Sequence, residues 1–335
     1  VKFHSAHAQG HIDPTANNNL FNHMRHHLPH VNVVVVNYHH EFRFNHALDH
    51  LQGPIVLVDF MEYFGGCPAP STHLFGHSHN IPSVPPNTQV PSLPATINEN
   101  THWWTFDAWV KQTIADGRLK LYFKRELFPL SSTPAIPVHP IEWPCYLPPQ
   151  PLDTKANFDG RPFQVFYNWG YSHQSRPAFQ SQAFDLMARG KIEVISSFDH
   201  LDAKIHEPQP KWACIHSPHT HRTHINEIAR RQAQSKCSVS LPGSGVVCFR
   251  STEAPMNTCP VMVDHGRVWS IPWEHNVNCL RYDDHNFLAD KLFMATNFPE
   301  VDLYGLYIKA QETLDQYRPN RYIAEYILPT ITHYL

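Results

Sequence analysis

The sequence predicts a two-domain α/β protein, each half a Rossmann-like β/α/β layering of helices on a mostly parallel sheet. Three observations carry that prediction. Short β-branched runs, apolar on both faces, alternate with segments of helical period, the pattern of strands buried between helices. A proline-rich stretch over 129–154 separates the two halves; without a backbone N–H, proline is excluded from helix interiors and central strands. The length of 335 residues suits one large or two medium domains, and 42% hydrophobic residues can fill their cores.

In the first half, VNVVVVNY over 31–38 and PIVLVDF over 54–60 are predicted strands, with a helical stretch near 44–51 between them. Residues 66–100 form a long loop rich in Pro, Ser, Thr and Asn, and long loops in compact domains are often functional. A helical pattern over 103–115 precedes a third strand, Leu119–Phe123. The prolines of 129–154 then predict an extended connection, which sets the domains at 1–154 and 155–335.

In the second half, Phe163–Tyr167 is a predicted strand. Phe179, Ala183, Phe184 and Met187 mark one face of a helix over 177–189. Ile192–Ser196 is the next strand, and a helix over 222–235 carries Ile225, Ile228, Ala229 and Ala233. Strands follow at Ser238–Leu241 and Pro260–Val263, with a short helix starting near Thr252 between them. The last fifty or so residues are helical, with Leu303, Leu306, Tyr307, Ala310, Leu314 and Tyr317 in one stripe. This order implies a doubly wound sheet.

Composition narrows the function. Charged residues make up only 16% and the formal net charge is −3, which gives no general attraction for a polyanion and disfavours nucleic acid as a partner. The 27 histidines make the surface more positive in mild acid. Seven scattered cysteines with no C-x-x-C pair read as packed, reduced thiols. No run approaches the roughly 20 apolar residues of a membrane span. The opening residues Val1-Lys2-Phe3-His4 show no signal-peptide pattern, and a cytoplasmic location is expected.

Four constellations can carry chemistry. In the first, a strand ends in Leu241-Pro242-Gly243-Ser244-Gly245, followed by Arg250 and Glu253 at the start of a short helix. The glycines let a ligand approach the backbone, and Gly243, Ser244 and Gly245 offer N–H groups to an anion. The helix start adds further donors for phosphate. Arg250 can hold phosphate, and Glu253 can accept hydrogen bonds from ribose hydroxyls. The second constellation is Asn168-Trp169-Gly170-Tyr171-Ser172-His173-Gln174-Ser175-Arg176, between a strand and a helix. Arg176 can neutralise a diphosphate leaving group, and Tyr171 or Ser172 can hydrogen-bond it. The third is Lys124-Arg125, a candidate phosphate contact at a strand end. The fourth is a general base at a strand end of the first half: Asp59 first, then His40, with His39, Glu41 and Glu62 as further candidates. Each of these also has a plain structural explanation, as a turn, a cap or a surface ion pair.

Histidines 216, 219, 221 and 224 cluster, as do 77 and 79, but no H-E-x-x-H is present and no metal site is expected.

The segment S-K-x-x-x-S-L-P-G-x-G-x-x-x-x-R-x-x-E-A, running on to C-P-V at 259–261, resembles the donor-binding segment of GT-B glycosyltransferases and is most similar to the exostosin-like group. The resemblance implies that Glu253 contacts the donor ribose and Arg250 its diphosphate. Thr258 stands where the group usually carries glycine. Many retaining members carry a second glutamate eight positions earlier; that position is Gly245, which points to an inverting transfer. Cationic side chains and helix dipoles would take the place of a metal, with no cofactor beyond the nucleotide-sugar donor. The acceptor would be a glycan or another hydroxyl compound, with a modified DNA base as an alternative.

Two other classes remain. A dehydrogenase or epimerase should show G-x-G-x-x-G at the first turn of the second half, and NWGYSHQSR lacks it. A non-catalytic carbohydrate-binding protein could use the eight Trp and 13 Tyr, but would have no need of phosphate-binding arginines.

Overall fold

The computed structural model describes residues 2–5, 30–36, 51–59, 109–110, 112–125, 127, 136–142, 151–167, 175–192, 225–241, 256–263, 268–283, 285–297 and 300–335. The chain forms two compact units. Unit 1 comprises Val1–Tyr146, Gly266–Ser270 and Tyr317–Leu335; unit 2 comprises Leu147–His265 and Ile271–Gln316. The division falls a few residues before the expected one, and residues 317–335 return to unit 1 instead of closing unit 2.

Unit 1 is built on a parallel sheet of β1 (Lys2–Ser5), β2 (Asn32–Val36), β3 (Ile55–Asp59), β4 (Leu119–Lys124) and β5 (Val138–Pro140), in that spatial order. Side chains alternate between its two faces. Val34, Ile55, Leu57, Leu119 and Tyr122 pack on one side with Trp109 and Val110. Val33, Val35, Val56, Val58, Leu121 and Phe123 pack on the other. A register shift at Ile55/Val56, paired with Leu119 and Leu121, keeps the faces matched. Both faces are buried, which is why these strands read as unbroken apolar runs.

The second face is covered by the C-terminal segment. It runs through α6 (Pro319–Tyr322), a π turn (Ile323–Ile327) and α7 (Leu328–Tyr334). Tyr322, Ile323, Ile327, Leu328 and Ile331 complete the core there. Pro329 has no N–H for the carbonyl of Glu325, so wider π spacing before it avoids an unmade bond and a ring clash. β5 lies inside the stretch expected to be a linker. It is the edge of the sheet and ends on Pro140, the position a proline tolerates.

Unit 2 carries a second parallel sheet, β6 (Phe163–Phe166), β7 (Ser235–Ser240), β8 (Cys259–Val263) and β9 (Leu280–Tyr282), again in sequence order. Its helices are α1 (Lys155–Asp159), α2 (Ser175–Ala188), α3 (Ile225–Ala233), α4 (Leu288–Asn297) and α5 (Leu303–Gln316). Among the described strands of both sheets the order never reverses, so no switch point lies between them.

The α5 stripe Leu303, Leu306, Tyr307, Ala310 and Leu314 is buried as the spacing predicts, whereas Tyr317 packs in unit 1. On α2 the buried face is Phe179, Ala183 and Leu186; Met187 is 39% exposed. The helical period holds, with Leu186 instead of Met187 completing the buried line through Phe179 and Ala183. On α3 Ala233 is exposed while Arg231 and Gln232 are buried. The strand expected at Ile192–Ser196 lies outside the described residues beyond Ile192, as do the helices expected near 44–51 and 252–256. Cys237, Cys259 and Cys279 are buried thiols, and burial pushes the Cys259 thiol well up, helped by Cys237.

Candidate functional site

In unit 2 the amino ends of the strands are locked and the carboxyl ends lead into the sequence-predicted loops. The lock is Arg161, just before β6. Its guanidinium donates to the carbonyl of Ser235 at 2.6 Å and to that of Asn257, at the starts of β7 and β8. It also donates to Asp153 Oδ2 at 2.8 Å. The rings of Phe158 and Tyr307 lie 4.6 and 5.1 Å from its Cζ. Tyr307 and Tyr304 hold the backbone of Asp153 in turn. A buried guanidinium with its charge paired and its donors used is costly to replace. Neither Arg161 nor Asp153 was singled out by sequence reasoning; an Arg ahead of a strand carries no local signal of where its fork will land.

At the carboxyl edge, β6 and β7 are neighbours, with Phe166 paired to Ser238. The segments after them, 168–174 and 242–255, are far apart in sequence. They leave adjacent parallel strands at the same edge of the sheet, where α/β proteins bind ligands. Arg176 stands in the first turn of α2 and is 3% exposed. Tyr171, Ser172, Gly243, Ser244, Gly245, Arg250 and Glu253 lie outside the described residues.

In unit 1 the structure brings together Asp59 and Lys124. The strand register sets them opposite each other at the carboxyl ends of β3 and β4. Lys124 Nζ donates to Asp59 Oδ2 at 3.0 Å, and the two side chains are 0% and 1% exposed. The Tyr122 hydroxyl donates to the same oxygen. The Arg125 backbone N–H donates to the Asp59 carbonyl at 2.9 Å, and Arg125 itself is buried. Asp59, expected as the base, is therefore engaged by two buried donors, and Lys124, expected at phosphate, is engaged by Asp59. His39, His40, Glu41 and Glu62 lie outside the described residues, and so do all the clustered histidines. Among the described residues no group of three His, Cys, Asp or Glu side chains is placed to hold a metal.

The carboxyl ends of β4 and β5 are clasped by tyrosines of the C-terminal segment. Tyr322 Oη accepts from the Glu142 N–H at 3.1 Å and lies 2.8 Å from Ser270 Oγ. Tyr326 donates to the Pro140 carbonyl at 2.7 Å, and Tyr334 Oη sits 3.2 Å from His139 Nε2. Burial, with repulsion from His333, holds the His139 imidazole below its usual range. None of these three tyrosines was singled out in the sequence, because their partners lie far away in the chain.

No protein-family model matches the chain, and no curated protein matches it in sequence. Solved structures do. The crystal structure of an alpha,alpha-trehalose-phosphate synthase (UDP-forming) from Burkholderia vietnamiensis superposes with a TM-score of 0.50 at 11% identity. It covers 97% of this chain and 79% of that one. The fold is that of the GT-B glycosyltransferases. An E. coli trehalose-6-phosphate structure bound with UDP-2-fluoro glucose gives 0.47 at 11% identity, covering 95% of this chain and 77% of that one. TarM gives 0.45 at 10% identity, covering 88% and 54%. At 11% identity and a TM-score of 0.50 the likeness to the Burkholderia vietnamiensis structure is one of fold, two parallel-sheet units in one chain. The exostosin-like group is not among these three structures. Among the described residues no helix is long and apolar enough to cross a membrane.

Proposed function

We propose that the chain is a glycosyltransferase that moves a sugar from a nucleotide-diphosphate donor to an acceptor hydroxyl. The observation that carries this reading is the pairing of β6 with β7. It lets the Arg176 helix and the L-P-G-S-G…R-x-x-E segment serve one ligand from the same sheet edge. The GT-B fold supports the reading, because that fold is shared with enzymes of this class. In it, Arg250, Glu253 and backbone N–H groups of residues 243–245 hold diphosphate and ribose, while Arg176, with Tyr171 and Ser172, stabilises the charge that develops on the leaving phosphate. The donor domain is the second unit and the acceptor side the first, with Arg125 kept as a possible phosphate contact. The exostosin-like group is the proposed relationship.

The base proposed for proton removal is His40 or Glu41, which follow β2 in sequence. We assign Asp59 the role of positioning Lys124, because a carboxylate already accepting from Lys124 and Tyr122 acts first on those neighbours. Transfer is proposed to invert the anomeric centre, on the strength of Gly245 where retaining members carry glutamate, and to need no metal because cationic side chains and helix dipoles stand in for one.

Since the Burkholderia vietnamiensis neighbour is named as UDP-forming, UDP is the first nucleotide to test. Thermal shift with UDP, GDP and NAD is the decisive experiment: stabilisation by UDP or GDP is expected. Stabilisation by NAD alone, or by none of the three, overturns the proposal.

A further inference from the structure

Helix α4 buries one face and bares the other. Leu288, Ala289, Leu292 and Ala295 pack into the core of unit 2. The outer side carries Phe287, Asp290, Lys291 and Met294, at the i, i+3, i+4, i+7 spacing that lines side chains up in one stripe. Both ends of the stripe are apolar and open to solvent: Phe287 is 72% exposed and Met294 52%.

A single exposed apolar residue is ordinary. Phe287 differs in its backbone. Its φ is 54°, a left-handed conformation in which a bulky side chain is an outlier. The residue thus carries backbone strain and a ring in water, and its own chain gives the ring little cover in return. The strained turn is nevertheless held firmly. Gln182 of α2 reaches both sides of it, Nε2 donating to the His285 carbonyl and Oε1 accepting from the Ala289 N–H, each at 3.1 Å. The Phe287 carbonyl accepts from the Lys291 N–H at 2.9 Å and so starts the helix. Strain that the surroundings fix in this way gathers at functional positions, and an aromatic ring presented rigidly loses little freedom on docking.

The stripe is complementary to itself. Turned antiparallel about a twofold axis between Asp290 and Lys291, it sets Phe287 against the partner's Met294 and Asp290 against the partner's Lys291, each contact made twice. An aromatic ring against a thioether is a favourable pair. Met294 also lines a hollow of about 520 Å³ beside β9, with Leu280, Ala295 and Val301 in its wall, which leaves room beside it for a ring. The central charges already have neighbours: Asp290 lies 3.0 Å from the Arg189 guanidinium, and Lys291 lies over the Tyr282 ring. They need no new partner and set only the direction. Antiparallel packing brings opposite signs together, whereas parallel packing in register brings like signs together.

We propose that this stripe is the interface of a homodimer, in which α4 packs antiparallel on α4 of a second copy with Phe287 as the anchor. The inference is independent of the glycosyltransferase reading, since dimerisation here requires neither nucleotide nor sugar.

Analytical ultracentrifugation of the full chain tests it. A monomer–dimer equilibrium is expected over about 1–100 μM without added ligand. Phe287→Asn removes the ring and supplies a residue that accepts the left-handed backbone. It should weaken dimerisation about tenfold or more, as loss of an aromatic anchor does, with the melting temperature of the dilute monomer held or raised. Asp290→Lys should weaken dimerisation as well. Asp290→Lys combined with Lys291→Asp should restore it, because the exchange regains opposite charges across the axis. The proposal is overturned if the chain stays monomeric throughout, if the dimer is indifferent to Phe287→Asn, if that variant melts lower at dilution, or if the charge exchange leaves the dimer as weak as Asp290→Lys alone.

Discussion

Asp59 and Lys124 face each other across β3 and β4 with 3.0 Å between Nζ and Oδ2, both side chains sealed from solvent. Tyr122, diagonal to Asp59 on the same face, donates to the same carboxylate oxygen. Removing one member leaves a buried charge with its partner gone, at a cost of about 3–5 kcal/mol. Asp59→Ala and Lys124→Met should each lower the urea midpoint strongly. The double variant Asp59→Leu/Lys124→Met should recover much of the loss, since two apolar groups bury no charge. Strictly additive losses would show that the ion pair is not the unit of stability.

Arg161 gives a sharper test of geometry over charge. Arg161→Ala leaves the carbonyls of Ser235 and Asn257 and the Asp153 carboxylate short of donors, and about 3 kcal/mol or more of stability should go. Arg161→Lys keeps the charge but not the fork. Equilibrium unfolding should place it near the Ala variant; a Lys variant as stable as the parent would refute the clamp.

The proposed donor site predicts losses of function without losses of fold. Glu253→Ala should weaken nucleotide binding, read by calorimetry, with the melting temperature in the absence of nucleotide held. Arg250→Ala and Arg176→Ala should lower turnover by roughly 100-fold, the scale of one lost electrostatic contact to the leaving group. Because Arg176 is buried, its variant needs a circular-dichroism check before the rate is interpreted. Near-normal turnover in a folded Arg176→Ala chain would remove that residue from the mechanism.

His139 predicts a pH dependence of stability. Its folded-state pKa is depressed, by burial first and by His333 second, so the unfolded chain binds the proton more readily. Stability is then full above the unfolded value of about 6.5 and falls as pH drops below it, levelling off beneath the folded pKa. His139→Phe should flatten part of the fall in melting temperature between about pH 7 and pH 5. An unchanged slope would assign the effect to other histidines.

The sequence by itself determined β2, β3, β4, β6, β7 and β8, while β1, β5 and β9 carried no such run. VVVV and IVLVD are buried on both faces wherever a sheet places them, so their β-branched runs disclosed β2 and β3 directly. The α5 stripe showed in the same way, because helical period is a property of neighbours in the chain. The proposed phosphate-binding loop likewise rests on local signals, its glycines and a nearby Arg and Glu. Only the tertiary structure decided which distant residues meet. The register of β3 against β4, with its one-residue shift, put Asp59, an expected base, beside Lys124. The return of residues 317–335 to unit 1 placed Tyr322 and Tyr326 over the β4–β5 edge. Such pairings are set by how whole elements dock, and no spacing within one segment encodes them.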